Sequence, residues 1–199
     1  MKTPPKTSPE LQVLQFATPE DWEAWLTDSH ATSNGLWIRF GKKNSGIQSV
    51  TYAEALEVAL CYGWIDGQKK SYDDKTWLQK FTPRGKKSIW SKINREKVEA
   101  LIKNKRMKLA GLKAIESAKQ DGRWEAAYDS QSKATVPEDF QTALDENAKA
   151  KAFYGTLKSM NRYAILFRIQ TTKKAETRAR RIQQFIEMLE RNETIHPQS

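Results

Sequence analysis

Arg84, Lys86, Lys87 and Ser88, followed directly by Trp90, Ser91 and Asn94, gather the chemistry of an anion site into one stretch. Arginine offers a bidentate fork to phosphate or carboxylate, the serines add hydroxyls, and the free N–H groups of a helix start point to the same place. Just upstream, Trp64 and Asp66 leave a helix-to-strand turn in the run Gly63-Trp64-Ile65-Asp66-Gly67. A carboxylate there has the chemistry of a general base or of an acceptor that orients a ligand's donor. With no second acid or histidine near it in sequence, Asp66 is read as lining a site, and a structural pair with Arg84 or a lysine accounts for it as well. Cys61 reads as a small buried hydrophobe: it falls at a helix C-terminus, where the dipole opposes a thiolate, and His30 and His196 lie in a loop and a tail. Arg178, Arg180 and Arg181 read as a helix surface balanced internally by Glu176, with an alternative role in reaching the N-terminal part of the chain.

Two histidines and one cysteine do not make a usual zinc site. No glycine-rich phosphate loop and no Gly-x-Ser-x-Gly elbow is present. No metal and no cofactor is therefore expected. The formal net charge is +10, and its distribution matters more than its size. Residues 80–123 hold fourteen Lys or Arg against four Asp or Glu, while the remainder of the chain balances. Such segregation points to an anionic partner, either a phosphate-bearing ligand or nucleic acid, with a solvated helix surface as the bland counterpart. Trp64, Trp77 and Trp90 beside these cations suggest rings that stack on bases while the cations follow phosphates, although tryptophan is more often a core residue.

The elements that must position these residues follow from local patterns. Residues 1–10 carry three prolines and no periodicity, so a disordered tail is expected. Leu11–Phe16 is a possible short strand. Thr18-Pro19-Glu20-Asp21 reads as a capped helix start with Trp22, Trp25 and Leu26 on one face. Leu36–Phe40 reads as a strand, and Thr51-x-x-Glu54 as a capping box opening a helix whose stripe runs through Tyr52, Ala55, Leu56, Ala59 and Leu60. Trp64–Asp66 and Thr76–Phe81 read as strands, with Gly67 as a break. From Pro83 onward the chain reads as helical. One helix starts near Ser91 or Asn94 and runs through Ile93, Val98, Leu101 and Ile102. A second covers Leu109–Lys119 with Leu112 and Ile115 inward. Ser130–Ala134 is a polar linker. After it come helices over Phe140–Leu144, Ala148–Leu157, Asn161–Ile169 and Ala175–Leu189, the last with a seam of Ala175, Ala179, Ile182, Ile186 and Leu189. The fold class is α+β, a small antiparallel sheet packed with helices and followed by an all-helical part. The expected domains are 11–130, with its basic segment at 80–123, and 131–193.

Two blocks carry a family resemblance. The runs Ala59-Leu60-Cys61-Tyr62-Gly63-Trp64-Ile65-Asp66-Gly67, Phe81-Thr82-Pro83-Arg84, Ser88-x-Trp90-Ser91-Lys92-x-Asn94 and Asp121-Gly122-x-Trp124 resemble the bacterial YdeI/OmpD-associated family. The block from Val136-Pro137-Glu138-Asp139 to Arg181-Ile182 is similar to that family's C-terminal helical domain. The resemblance implies a role in bacteriocin protection or stress and supplies no reaction or catalytic residue.

The expectation is a stress- or toxin-protection binding protein that engages an anionic partner at a basic, tryptophan-lined surface between Asp66 and Asn94. Two other classes stand beside it. One is an enzyme on a small anionic substrate with Asp66 as acid/base and Arg84 as anchor; the other is a module whose C-terminal helices dock a protein partner. No apolar run is long enough to span a bilayer, and an N-terminus without an apolar leader together with a lone cysteine points to the cytoplasm.

Overall fold

The computed structural model describes residues 11–198, so the tail expected over residues 1–10 lies outside the described residues. The chain forms two compact units: one holds the residues up to Ser88 together with Asn94–Trp124, the other Ile89–Ile93 together with Glu125 onward.

The first unit begins with β1 (Val13–Leu14), α1 (Pro19–Ser29), β2 (Leu36–Gly41) and α2 (Tyr52–Cys61), followed by β3 (Trp64–Ser71) and β4 (Thr76–Pro83). Both early helices start where local chemistry dictates. The Thr18 hydroxyl accepts the Asp21 N–H at 3.2 Å, and the Asp21 carboxylate accepts the Thr18 N–H at 3.1 Å. Thr51 and Glu54 repeat the arrangement, and hydrogen bonds from the Thr51 hydroxyl and N–H hold the Glu54 carboxyl below its ordinary pKa. The sheet order is β1-β2-β4-β3. It is mixed rather than purely antiparallel, because β1 pairs parallel to β2. The reason is the connection: α1 carries the chain back across the sheet, so the next strand runs the same way.

β3 is longer than expected. Gly67 does not end it; one extra residue is accommodated as a bulge between Asp66 and Lys69, and pairing resumes through Ser71. Gln79, buried on the facing strand, donates from Nε2 to the Gly67 carbonyl at 2.8 Å and so satisfies a group the bulge takes out of the ladder.

Strand alternation and the pairing of Leu36 with Phe81, Ile38 with Gln79 and Phe40 with Trp77 put these six side chains on one face of the sheet. Trp22, Leu26, Leu56, Leu60 and Trp64 complete the core on that side. Trp22 lies edge-on to Trp64 at 6.1 Å and donates its indole N–H to the Ala55 carbonyl at 3.0 Å.

Two further helices follow, α3 (Lys92–Lys103) and α4 (Leu109–Gln120). On α3, Val98 and Leu101 are buried while Ile93 and Ile102 are exposed; on α4, Ile115 is buried, but Leu112, expected inward, is exposed. What brings α4 against α2 is a glycine contact. The Lys108 N–H donates to the Cys61 carbonyl at 3.1 Å. A Cβ at Gly111 would lie 2.9 Å from the Cys61 carbonyl carbon and closer still to its oxygen. Gly63, at φ +73°, turns the chain from α2 into β3, and a Cβ there would meet the Ala110 carbonyl at 2.9 Å.

The second unit packs α5 (Glu138–Asp145), α6 (Ala148–Thr156), α7 (Ser159–Gln170) and α8 (Ala175–Glu190) around Phe140, Leu144, Ile165, Ile169, Ile186 and Leu189. The α8 seam is shorter than its spacing suggests. Ala175 and Ala179 are exposed, and Ile182, Phe185, Ile186 and Leu189 carry the burial. Arg178 and Arg181 do not form a surface balanced along their own helix. Arg178 grips Asp139 of α5 with two nitrogens at 2.6 and 2.9 Å, and Arg181 donates to the Arg168 carbonyl and the Thr172 hydroxyl. Asn161, fully buried, accepts the His196 N–H at 2.9 Å and donates to its carbonyl at 3.0 Å, which ties the chain end to α7.

Candidate functional site

The residues expected to form one constellation belong to both units. In the first, Trp64 is a core side chain, 1% exposed, with its indole N–H on the His30 carbonyl at 3.2 Å. Asp66 accepts the Tyr52 hydroxyl at 2.8 Å. The Arg84 N–H is bonded to the Gly63 carbonyl at 2.9 Å, and Lys86 and Lys87 are exposed. The Ser88 carbonyl accepts from Arg123, whose guanidinium also holds both Asp121 carboxylate oxygens. Asn94 is buried. Asp66 and Arg84 line neither of the two cavities described below.

In the second unit, Trp90 is 1% exposed, so its ring is no platform for a ligand. Its carbonyl accepts the Tyr128 N–H, Ser91 forms a parallel bridge with Tyr128, and the Lys92 N–H, the first of α3, donates to the Tyr128 carbonyl at 2.9 Å. The donor expected to face an anion is therefore spent on backbone. A carboxylate is already in place too: Asp129 lies 2.8 Å from the Lys92 ammonium, which with Gln170 holds the Asp129 carboxyl below its ordinary pKa. Trp64 and Trp90 thus serve as packing, as bulky rings beside tight turns commonly do.

The cations and rings that do share a surface sit on the sheet, on β2, β4 and the part of β3 beyond Gly67 that the sequence pattern leaves out. β3 is an edge strand, and alternation sends its consecutive lysines to opposite faces. Each ammonium lies over an indole: Lys69 is 4.3 Å from the Trp77 ring centroid, and Lys70 is 4.3 Å from that of Trp37. Beside Trp37, the Arg39 guanidinium is 5.1 Å from the Tyr72 ring, with donors to Asp73 at 2.9 Å and Thr76 at 3.1 Å.

On the Trp77 side, an open basin of about 370 Å³ is lined by Gly41, Lys42, Lys43, Lys69, Ser71 and Trp77. Three cations, a hydroxyl and an indole line it, and no carboxylate does. Trp77 is held flat by Phe40, 4.7 Å away and 20° from parallel. Lys42 donates to the Asp73 carbonyl at 2.8 Å, which aims its stem across the β3–β4 turn. The signal that would have found this place is the pair Lys69-Lys70 on an edge strand, with Trp77 on the neighbouring β4 and Trp37 one strand further on β2.

A second cavity of about 270 Å³, lined in part by Glu23, Cys61, Arg106 and Lys108, offers less. Lys108 pairs with Glu23 at 2.9 Å and Arg106 with Glu57 at 3.1 Å, and burial pushes the Cys61 thiol above its ordinary pKa. Among the described residues, no group of three His, Cys, Asp or Glu side chains is gathered to hold a metal ion, and no helix is long and apolar enough to cross a membrane.

Residues 14–114, a little over half of the chain, match the model of a domain of unknown function (DUF8412). Residues 133–192 match the model described as bacteriocin-protection, YdeI or OmpD-associated. No curated protein and no solved structure matches the chain.

Proposed function

We propose that this chain, which belongs to the DUF8412 family through its N-terminal half and to the YdeI/OmpD-associated family through its C-terminal domain, is a binding protein that holds a phosphate-bearing anion on the basic, aromatic surface of its sheet. The observation that carries the reading is the basin at Trp77, where Lys42, Lys43 and Lys69 converge with no carboxylate in the lining. Three lysines around an open hollow whose lining, among the described residues, holds no carboxylate raise the local concentration of anions and supply charge-assisted hydrogen bonds once one arrives. Compared with the Arg84–Asn94 stretch, where Trp90 is fully buried, this place has a half-buried ring that lines the hollow. The protective role named in the family description enters as part of the same proposal, as does a cytoplasmic setting, which suits a lone buried thiol.

The test is calorimetric titration of inorganic tripolyphosphate into the full chain at low and at physiological salt, with the wild type, a Lys42→Ala/Lys43→Ala/Lys69→Ala triple variant and an Arg84→Ala/Lys87→Ala pair. Affinity should fall by about tenfold or more as salt rises, and by a similar factor in the triple variant. The Arg84/Lys87 pair should bind nearly as the wild type does. Equal affinity of wild type and triple variant refutes the reading.

A further inference from the structure

We infer that the ligand of the Trp77 basin is a nucleoside monophosphate, its base lying on the indole where the Lys69 ammonium now lies and its phosphate on the lysines. This rests on the anion-binding reading above and adds the ring. The first ground is the state of Trp77. Phe40 stacks on one side of the indole, 4.7 Å between centroids, and the Lys69 ammonium stands 4.3 Å from the same indole centroid. Two groups that close do not fit on one side, so Lys69 covers the opposite side. The indole is therefore backed by a ring, fixed in orientation, and covered outward by one exposed, flexible ammonium.

An exposed cation–π contact is weaker than the stacking of a base on an aromatic ring, so a base displaces the ammonium. The displaced Lys69 stays at the rim and joins Lys42 and Lys43 around a phosphate. The pair of functions is what a nucleotide needs: a flat apolar surface for the base and a cluster of cations lining the same basin for the phosphate. Size argues the same way, since about 370 Å³ suits one mononucleotide and not a helix. Ser71 lines the same basin, and its hydroxyl is a ready partner for ribose hydroxyls.

The experiment titrates adenosine 5′-monophosphate, ribose 5-phosphate, inorganic phosphate and a labelled oligothymidylate into the full chain at low salt, with Trp77→Leu and Trp77→Phe as variants checked by circular dichroism. The monophosphate should bind roughly tenfold more tightly than ribose 5-phosphate. Trp77→Leu should abolish that advantage while leaving ribose 5-phosphate within about twofold, and Trp77→Phe, which keeps a ring, should retain most of it. Equal binding of the monophosphate and ribose 5-phosphate overturns the inference while leaving anion binding intact. Oligothymidylate binding far tighter than the mononucleotide also overturns it and makes a strand the occupant. If none of the four binds, the anion-binding reading fails along with it.

Discussion

Replacing Gly111 by alanine sets two effects of opposite sign against each other. Gly111 lies inside α4, where alanine is worth about 1 kcal/mol more than glycine in helix propensity, so a purely local argument predicts a stabilised protein. The tertiary contact predicts the reverse. The new Cβ would stand 2.9 Å from the Cys61 carbonyl carbon, closer to its oxygen, and 2.6 Å from the Met107 methyl. The methyl can swing away; the backbone of α2 cannot. α4 must retreat, which strains the surrounding packing by about 1–3 kcal/mol and weakens the Lys108-to-Cys61 hydrogen bond, worth about 1 kcal/mol. The net expectation is a loss of about 1–3 kcal/mol, read as a lower urea midpoint at unchanged slope. Gly155→Ala is the control, since nothing lies within 4 Å of a Cβ built there, and this variant should be as stable as the parent or better by up to about 1 kcal/mol. If Gly111→Ala proves as stable as the parent, α4 is not held against α2 by backbone contact and the reasoning fails.

Asn161→Leu should destabilise by about 2 kcal/mol, because it removes both hydrogen bonds to the His196 backbone; in a chain ending at Glu193 the same substitution should cost clearly less, and equal costs in a thermal-unfolding cycle would disprove the tie. The Arg178 guanidinium holds the Asp139 carboxyl below its ordinary pKa, so the unfolded chain takes up that proton first as pH falls. The resulting stability is present above the unfolded carboxyl pKa and is lost as pH drops through the lower, folded one; Asp139→Asn should flatten the acid side of a stability-against-pH curve, and an unaltered curve would count against the pair.

What the sequence disclosed and what it withheld divide along the range of the interactions. Thr18 and Thr51 announce their helices because a capping box is closed within four residues. Of the C-terminal helices α6 opens on such a local cap, the Asn147 side-chain oxygen accepting the Ala150 N–H at 3.0 Å, whereas α5, α7 and α8 start without a side-chain cap and are legible from the spacing of their apolar residues. The parallel pairing of Val13 with Trp37 is different: a two-residue strand has no periodicity, and its partner lies beyond an entire helix. Ring chemistry is no easier to place. Trp64, Trp77 and Trp90 all stand near lysines in sequence, yet two are buried and one lines the basin; Trp64 and Trp77 even share a face of the sheet, and what separates them is that Trp77 pairs near the open end of the sheet, opposite Phe40 and Ser71, while Trp64 packs under Trp22. The Arg84–Asn94 stretch reads as a site because donors cluster there; what local reading does not supply is Tyr128 and Asp129, which occupy the Lys92 N–H and ammonium at the helix start from more than thirty residues away.

The bulge in β3 makes the hairpin asymmetric towards changes in chain length. On β3 two residues, Gly67 and Gln68, lie between the paired Asp66 and Lys69, whereas on β4 only Lys80 lies between Phe81 and Gln79. Loss of either Gly67 or Gln68 would convert the bulge to a regular ladder and leave Lys69 opposite Gln79 and Lys70 opposite Leu78, each still beside its own tryptophan; the cost would fall on Gln79, whose amide would lose the carbonyl it now binds. Gain of a residue in the ladder after Lys69 would instead turn Lys70 to the side of Trp77 and Ser71 to the other, scrambling the basin. Relatives that keep the basin should therefore show deletions at this position and no insertions, a one-sided length spectrum that any alignment of the family can be checked against.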